Sequence, residues 1–267
     1  GRLAKAPTVA DRLELPGLDA KRADIILGGA IILEQAFAEL GIGEMTVSDH
    51  ALREGVLLDA LGRRDRVSLG HLEDLRRQSV VHLAAICPGE RSHAEHATSL
   101  ALELFEATRP WHGLGDEGEE WLEAAGLLAN VGLFVSHDRH HLHSYYVIRH
   151  SDLLVGFTDH EVEVIAQVAR YHRKSAPKAR HAEFARLSEH DQAMVRTLAG
   201  ILRVAIALDR TRDGLVGKVS VRGDPGDDLE IVVEAGGAPA DLELYTAESR
   251  KALLEEALGV SVAFALA

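Results

Sequence analysis

The stretch LLANVGLFVSHDRHHLHSYYVIRH (Leu127–His150) decides how this chain of 267 residues is read. It opens on small and apolar residues and then carries five histidines: His137, His140, His141, His143 and His150. On one helix His137, His140 and His141 stand at i, i+3 and i+4 and share a face, with His143 and His150 pointing elsewhere. Such a face is a solvated surface, a metal cage, or a set of N–H donors for an anion. Tight metal sites need two or three converging ligands, usually with a carboxylate, and outer partners that orient the imidazoles. No HExxH pattern and no paired Cys/His spacing occurs in the chain, so the solvated face and the anion surface outweigh the cage.

The surroundings of this stretch are helical from about Val67 to Arg212. LGHLEDLRRQSVVHLAAIC reads as one amphipathic helix, and Ser92 with Glu95 forms a capping box for the next. Asp116 with Glu119 is a weaker box ahead of EWLEAAGLLANVGLFV. Thr158 with Glu161 is a clean one, and Ser188 with Asp191 caps the long QAMVRTLAGILRVAIALDR. Upstream, ADIILGGAIILEQAFAELG predicts a helix stopped by Gly41. EMTVS (Glu44–Ser48) follows as a short strand, and Ser48 or Asp49 caps a helix ending near Gly62. Downstream, KVSVR and LEIVVEA alternate around GDPGDD as a hairpin. A helix over TAESRKALLEEALG, with Thr246 and Ser249 as rival caps, and a closing strand VSVAFAL complete a ββαβ unit.

Apolar residues make up 46% of the chain, enough for a core, while aromatic residues are only 4%. No apolar run reaches the roughly 18–20 residues that span a bilayer, so no membrane partner is expected. One cysteine, Cys87, sits in apolar LAAICP as a buried thiol and fits a reducing, cytoplasmic setting. The formal charge of −13 argues against nonspecific DNA binding.

Against that charge, RYHRKSAPKAR (Arg170–Arg180) holds five cationic side chains, plus His172, and no acid. It complements the C-terminal dipole of the preceding helix; as a functional feature it offers Arg170, Arg173 and Lys174 to a polyanion. Gly28 and Gly29 permit close approach of a phosphate or of another helix. Arg53 and Glu54 fall in the first turns of a helix, where local ion pairing is the ordinary role.

The helical stretch also resembles metal-dependent HD phosphohydrolases in layout. His93 or His96 supplies the first histidine and Asp209 the distant carboxylate. The decisive His-Asp pair falls on Ala129 and Asn130, which cannot ligate in its place. The expectation is an HD-like fold with a disabled metal centre and no metal held by this chain.

ADIILGGAIIL, ELGIGEMTVSDHALREGVLLDALG, LLANVGLFVSHDRHHLHSYYVIRHSDL and GFTDHEVEVIAQVARYHRKSAPK together resemble the C-terminal portion of the exopolyphosphatase and guanosine pentaphosphate phosphatase family, in family order from about residue 20 to 180. The resemblance implies a mostly α chain with α/β parts. Residues 1–66 would be the tail of an actin-like, ribonuclease-H-like lobe, 67–212 an HD-like helical domain, and 213–267 a small α+β domain. It implies hydrolysis of the terminal phosphate of inorganic polyphosphate or guanosine pentaphosphate, with Mg²⁺, in a homodimeric enzyme. The family's phosphate loops and catalytic glutamate precede the matched region, so this chain is expected to be a C-terminal piece, inactive alone. Carried over by position, Gly28, Gly29, Ser48, Asp49, Arg53 and Glu54 line the cleft. His137, His141, His143, Arg170, His172, Arg173 and Lys174 border the polyphosphate path. The alternatives are a competent HD-type nucleotide phosphohydrolase, or a dimerisation and regulatory module.

Overall fold

The computed structural model describes residues 3–16, 18, 20–43, 45, 71–87, 89–237 and 239–267. Ser48, Asp49, Arg53 and Glu54, most of the expected strand at Glu44–Ser48, and the helix ending near Gly62 lie outside the described residues. The chain divides into two compact units, Gly1–Val56 and Leu57–Ala267.

In the first unit, Thr8 and Asp11 form a reciprocal capping box for α1 (Val9–Leu13). The buried Arg12 donates to the carbonyls of Ala6, Pro7 and Ala23 at 2.9–3.2 Å, tying the chain ends of this short segment together. Helix α2 (Ile26–Leu40) stops at Gly41, whose φ of 65° suits a residue without a Cβ. Gly28 and Gly29 lie inside α2, and no described atom comes within 4 Å of a Cβ built on either.

The second unit is a helical body with a small sheet. Its helices are α3 (His71–Ile86), α4 (Arg91–His112), α5 (Asp116–Leu128), α6 (His140–Arg149), α7 (Asp159–Arg170), α8 (Ala182–Ala185) and α9 (Glu189–Leu208). Helix α9 is the axis of the core. Every residue from Thr197 to Ala205 is buried, as expected of a helix apolar on all sides. It packs on α4 and α7. Two caps form as read from the sequence: Thr158 and Glu161 exchange bonds at the start of α7, and Asp191 N–H donates to Ser188 at the start of α9.

Several local expectations are corrected. Helix α4 begins at Arg91 with Glu90 at its cap, which leaves Ser92 inside the helix and without a capping role. Asp116 and Glu119 both bond the guanidinium of Arg109 instead of capping α5. Helix α5 ends at Leu128, and a 3₁₀ turn over Val131–Phe134 follows. Helix α6 starts only at His140, after Arg139 at φ 50°, so His137 shares no helix face with His140 and His141.

At the C-terminus β1 (Val216–Arg222) and β2 (Leu229–Ala235) form the expected antiparallel hairpin. The single helix predicted next is two, α10 (Asp241–Glu248) and α11 (Ala252–Leu258), so neither Thr246 nor Ser249 caps a helix start, and Ser249 instead closes the end of α10. These helices supply the crossover that lets β3 (Val262–Leu266) pair parallel to β2, giving the order β1-β2-β3. Both α10 and α11 pack on α9. A Cβ on Gly200 of α9 would lie 2.9 Å from Leu254 Cα, so that close crossing requires glycine. Val216, Ile231 and Leu254 belong to the same buried cluster as the helical core.

Candidate anion-binding site

The end of α7 and the start of α6 build one wall. Beyond Arg170 the chain turns through Tyr171, His172, Arg173 and Lys174, with Lys174 at φ 62°. His172 is 3% exposed, and its Nδ1–H donates to the Ala169 carbonyl at 2.6 Å. The His140 ring stacks on it, centroids 5.4 Å apart. Arg173 Nη1 lies 3.0 Å from Nδ1 of His140. Nε2 of the same ring is nearly as close, at 3.2 Å, so the guanidinium lies against the imidazole. Burial, reinforced by the charge of Arg173, lowers the pKa of His140. Burial holds His172 near 3. His141 is brought to about 4 by burial and then by Arg173, and its Nδ1 is enclosed without a hydrogen-bond partner.

Beneath this turn, Arg203 rises from the middle of α9. It is 9% exposed and donates to three carbonyls, those of Tyr171 at 2.6 Å, Ser175 at 2.8 Å and Arg173 at 3.3 Å. Burial, with Arg250 nearby, pulls its pKa down to about 10. No carboxylate compensates this charge among the described residues, so the guanidinium braces the turn and leaves a net positive potential above it.

A depression of about 390 Å³ opens on this turn, lined by Arg173, Lys174, Arg203, Ser249, Arg250 and Glu256 among others. Its only carboxylate among the described residues, Glu256, meets Arg196 at 3.3 Å. Lys174 and Arg250 pair with no carboxylate among the described residues. Burial and then the charges of Arg173 and Arg210 lower the pKa of Arg250. Among the described residues, this lining gathers four cations and one carboxylate already paired elsewhere.

The sequence-predicted residues separate on this geometry. Arg173 and Lys174 line the depression. His141 stands close behind them, since both charges act on its titration, and His172 lies inside the wall. Arg170 is engaged elsewhere: it pairs with Glu183 at 3.0 Å and lies over the rings of Tyr145 and Tyr171. His137 is exposed ahead of α6, and His143 is half-buried on it. Sequence reasoning missed Arg203 and Arg250. Arg203 did leave a signal, as a lone charge inside TLAGILRVAIAL.

The HD-like layout is also visible. His93 of α4 meets Asp209, just past α9, at 2.6 Å, and His96 Nε2 is 4.0 Å from the other carboxylate oxygen. Ala129 is fully buried and offers its carbonyl to Ser144 at 2.7 Å. Among the described residues no group of three or more His, Cys, Asp or Glu side chains is arranged to hold a metal. Mg²⁺ wants an oxygen-rich shell, and one carboxylate already bonded to an imidazole does not fit it.

Residues 75–235 match the model of Ppx/GppA phosphatase, domain III, and residues 2–64 match that of the Ppx/GppA phosphatase family. The chain belongs to the Ppx/GppA phosphatase family. Its relatives include the guanosine-5'-triphosphate,3'-diphosphate pyrophosphatase of Pseudoalteromonas atlantica, 30% identical over 209 residues, or 77% of this chain and 39% of the relative. The protein of the same name from Aeromonas hydrophila is 29% identical over 228 residues, 85% of this chain and 44% of the relative. That from Pseudoalteromonas translucida is 29% identical over 197 residues, 73% and 37% respectively. The chain thus spans well under half the length of these Ppx/GppA relatives. The domain III match contains the α6–α7 wall and Arg203, while Arg250 comes from beyond it. Among the described residues, no helix is long and apolar enough to cross a membrane.

Proposed function

We propose that this chain is the phosphate-chain-holding part of a Ppx/GppA hydrolase acting on inorganic polyphosphate or guanosine pentaphosphate. In this reading residues 1–66 end an actin-like lobe, 67–212 form an HD-like helical domain, and 213–267 form a small α+β domain. Mg²⁺ in the enzyme's actin-like cleft would neutralise the phosphates during attack by water. The residues here hold the anion away from that chemistry.

The observation that carries the reading is the depression bounded by Arg173, Lys174, Arg203 and Arg250. Arginine and lysine bind phosphate oxygens through charge-assisted hydrogen bonds. Several such contacts in one trough keep a polymer attached while any one of them exchanges. Among the described residues the lining has no aromatic side chain to stack a guanine, which supports recognition of phosphates rather than of a base.

The test is retention of long-chain polyphosphate on filters at low salt, comparing the unmodified chain with Arg173→Ala/Lys174→Ala. Two lost charge-assisted bonds should weaken retention by at least roughly tenfold. Equal retention by both proteins would overturn the proposal.

A further inference from the structure

A second, smaller depression of about 60 Å³ lies beside the first, lined by His93, Asp209, Arg210, Arg212, Thr246 and Arg250 among others. Among the described residues the two share only Arg250. Since one enclosed water needs roughly 10–15 Å³ of such space, this depression takes one small tetrahedral anion and no polymer.

Its chemistry differs from that of the larger trough. Arg210 and Arg250 pair with no carboxylate among the described residues, and Arg212 spends one nitrogen on Glu90 at 2.5 Å. Three guanidiniums therefore supply donors. The same lining holds Asp209, 2% exposed, whose Oδ2 meets Nδ1 of His93 at 2.6 Å and whose Oδ1 accepts from Gly214 N–H at 3.3 Å. With Nδ1 committed to Asp209, only Nε2 of His93 remains for a ligand. A carboxylate accepts and does not donate. An anion seated here must offer oxygens to the arginines and also carry a proton to meet the carboxylate.

We propose that this depression binds one orthophosphate and rejects sulfate. Hydrogen phosphate has both acceptor oxygens and an O–H. Sulfate at neutral pH has acceptor oxygens only, and would place a bare oxygen against the Asp209–His93 pair. An unmatched buried acceptor costs far more than a matched one gains. The inference goes beyond the phosphate-chain reading and stands without it, although orthophosphate is also what a terminal-phosphate hydrolase releases.

Isothermal titration of the 267-residue chain with inorganic phosphate, and separately with sodium sulfate, tests it. One phosphate site is expected, with sulfate at least about tenfold weaker. Arg210→Ala, an exposed change that spares the core, should weaken phosphate by about tenfold. Asp209→Asn, which adds an N–H donor, should narrow the preference for phosphate over sulfate. Because Asp209 is buried, its circular dichroism is compared first, and a misfolded variant leaves Arg210→Ala and the two-anion comparison to decide. Absent phosphate binding, equal affinity for sulfate, or an Arg210→Ala protein that binds phosphate unchanged would each overturn the proposal. Failure here with polyphosphate retention intact removes this site alone; lost retention with phosphate binding intact removes only the polyanion reading.

Discussion

Arg203 Nε donates to the carbonyl of Tyr171 over 2.6 Å, joining the middle of α9 to the turn that follows α7. Its terminal nitrogen Nη2 reaches Ser175 and Arg173. A positive charge is thereby fixed under a cationic turn, where apolar packing alone would have been the simpler solution. Such an arrangement opposes folding electrostatically and becomes intelligible when an anion sits above it.

Replacing Arg203 separates bracing from charge. Arg203→Met keeps volume but takes the donor from one buried and two partly buried carbonyls, and a loss of about 2–3 kcal/mol in urea unfolding is expected. Arg203→Lys retains a charge and at least one donor, so it should recover part of both stability and polyphosphate retention. An Arg203→Met protein as stable as the unmodified chain would show that the bonds contribute nothing net.

Gly132 tests how the histidine helix is seated. A Cβ there would lie 2.2 Å from the His140 carbonyl oxygen and 2.3 Å from Ser144 N, both backbone atoms. Gly132 N–H also donates to Ser144 Oγ. No flexible side chain can yield, so Gly132→Ala should cost about 3 kcal/mol or more and lower the thermal midpoint by roughly 6–12 °C. A midpoint within a degree of the original would refute this packing.

The buried histidines set the acid response. His172 near 3 and His141 near 4 titrate below the ordinary histidine value of 6.5. Below about pH 6.5 the unfolded chain takes up protons that the folded chain refuses. Stability should therefore be fully present above that value and fall as pH drops toward 4, by up to about 1.4 kcal/mol per pH unit for each histidine. His172→Phe should flatten the slope. For binding, any tightening from a charged His141 belongs near pH 4. The ordinary histidine value near 6.5 does not apply to a histidine enclosed beside Arg173.

Much of this was legible in the sequence because it is local. The Thr158–Glu161 box depends on four consecutive positions, and the alternating strands around GDPGDD depend on neighbours. The failures are places where a distant group competes. Arg109 captures Asp116 and Glu119 before they can cap α5. The turn at Arg139 removes His137 from the helix that its spacing suggested. His93, with His96 as its alternative, and Asp209 were readable because the HD-like layout asks for a histidine near one helix start and a carboxylate after a late helix. Arg250 was not, since nothing near SRKALLEE announces that α9 brings it against a turn some 76 residues earlier, at Lys174.

The most direct measurement follows from that residue. Polyphosphate affinity of Arg250→Ala should be measured by filter retention at rising salt, beside the unmodified chain. At low salt the variant is expected to bind about tenfold more weakly. Its affinity should also fall less steeply with salt, because one charge has left the contact. Equal affinity and equal salt dependence would contradict the assignment of this depression as the phosphate-chain site.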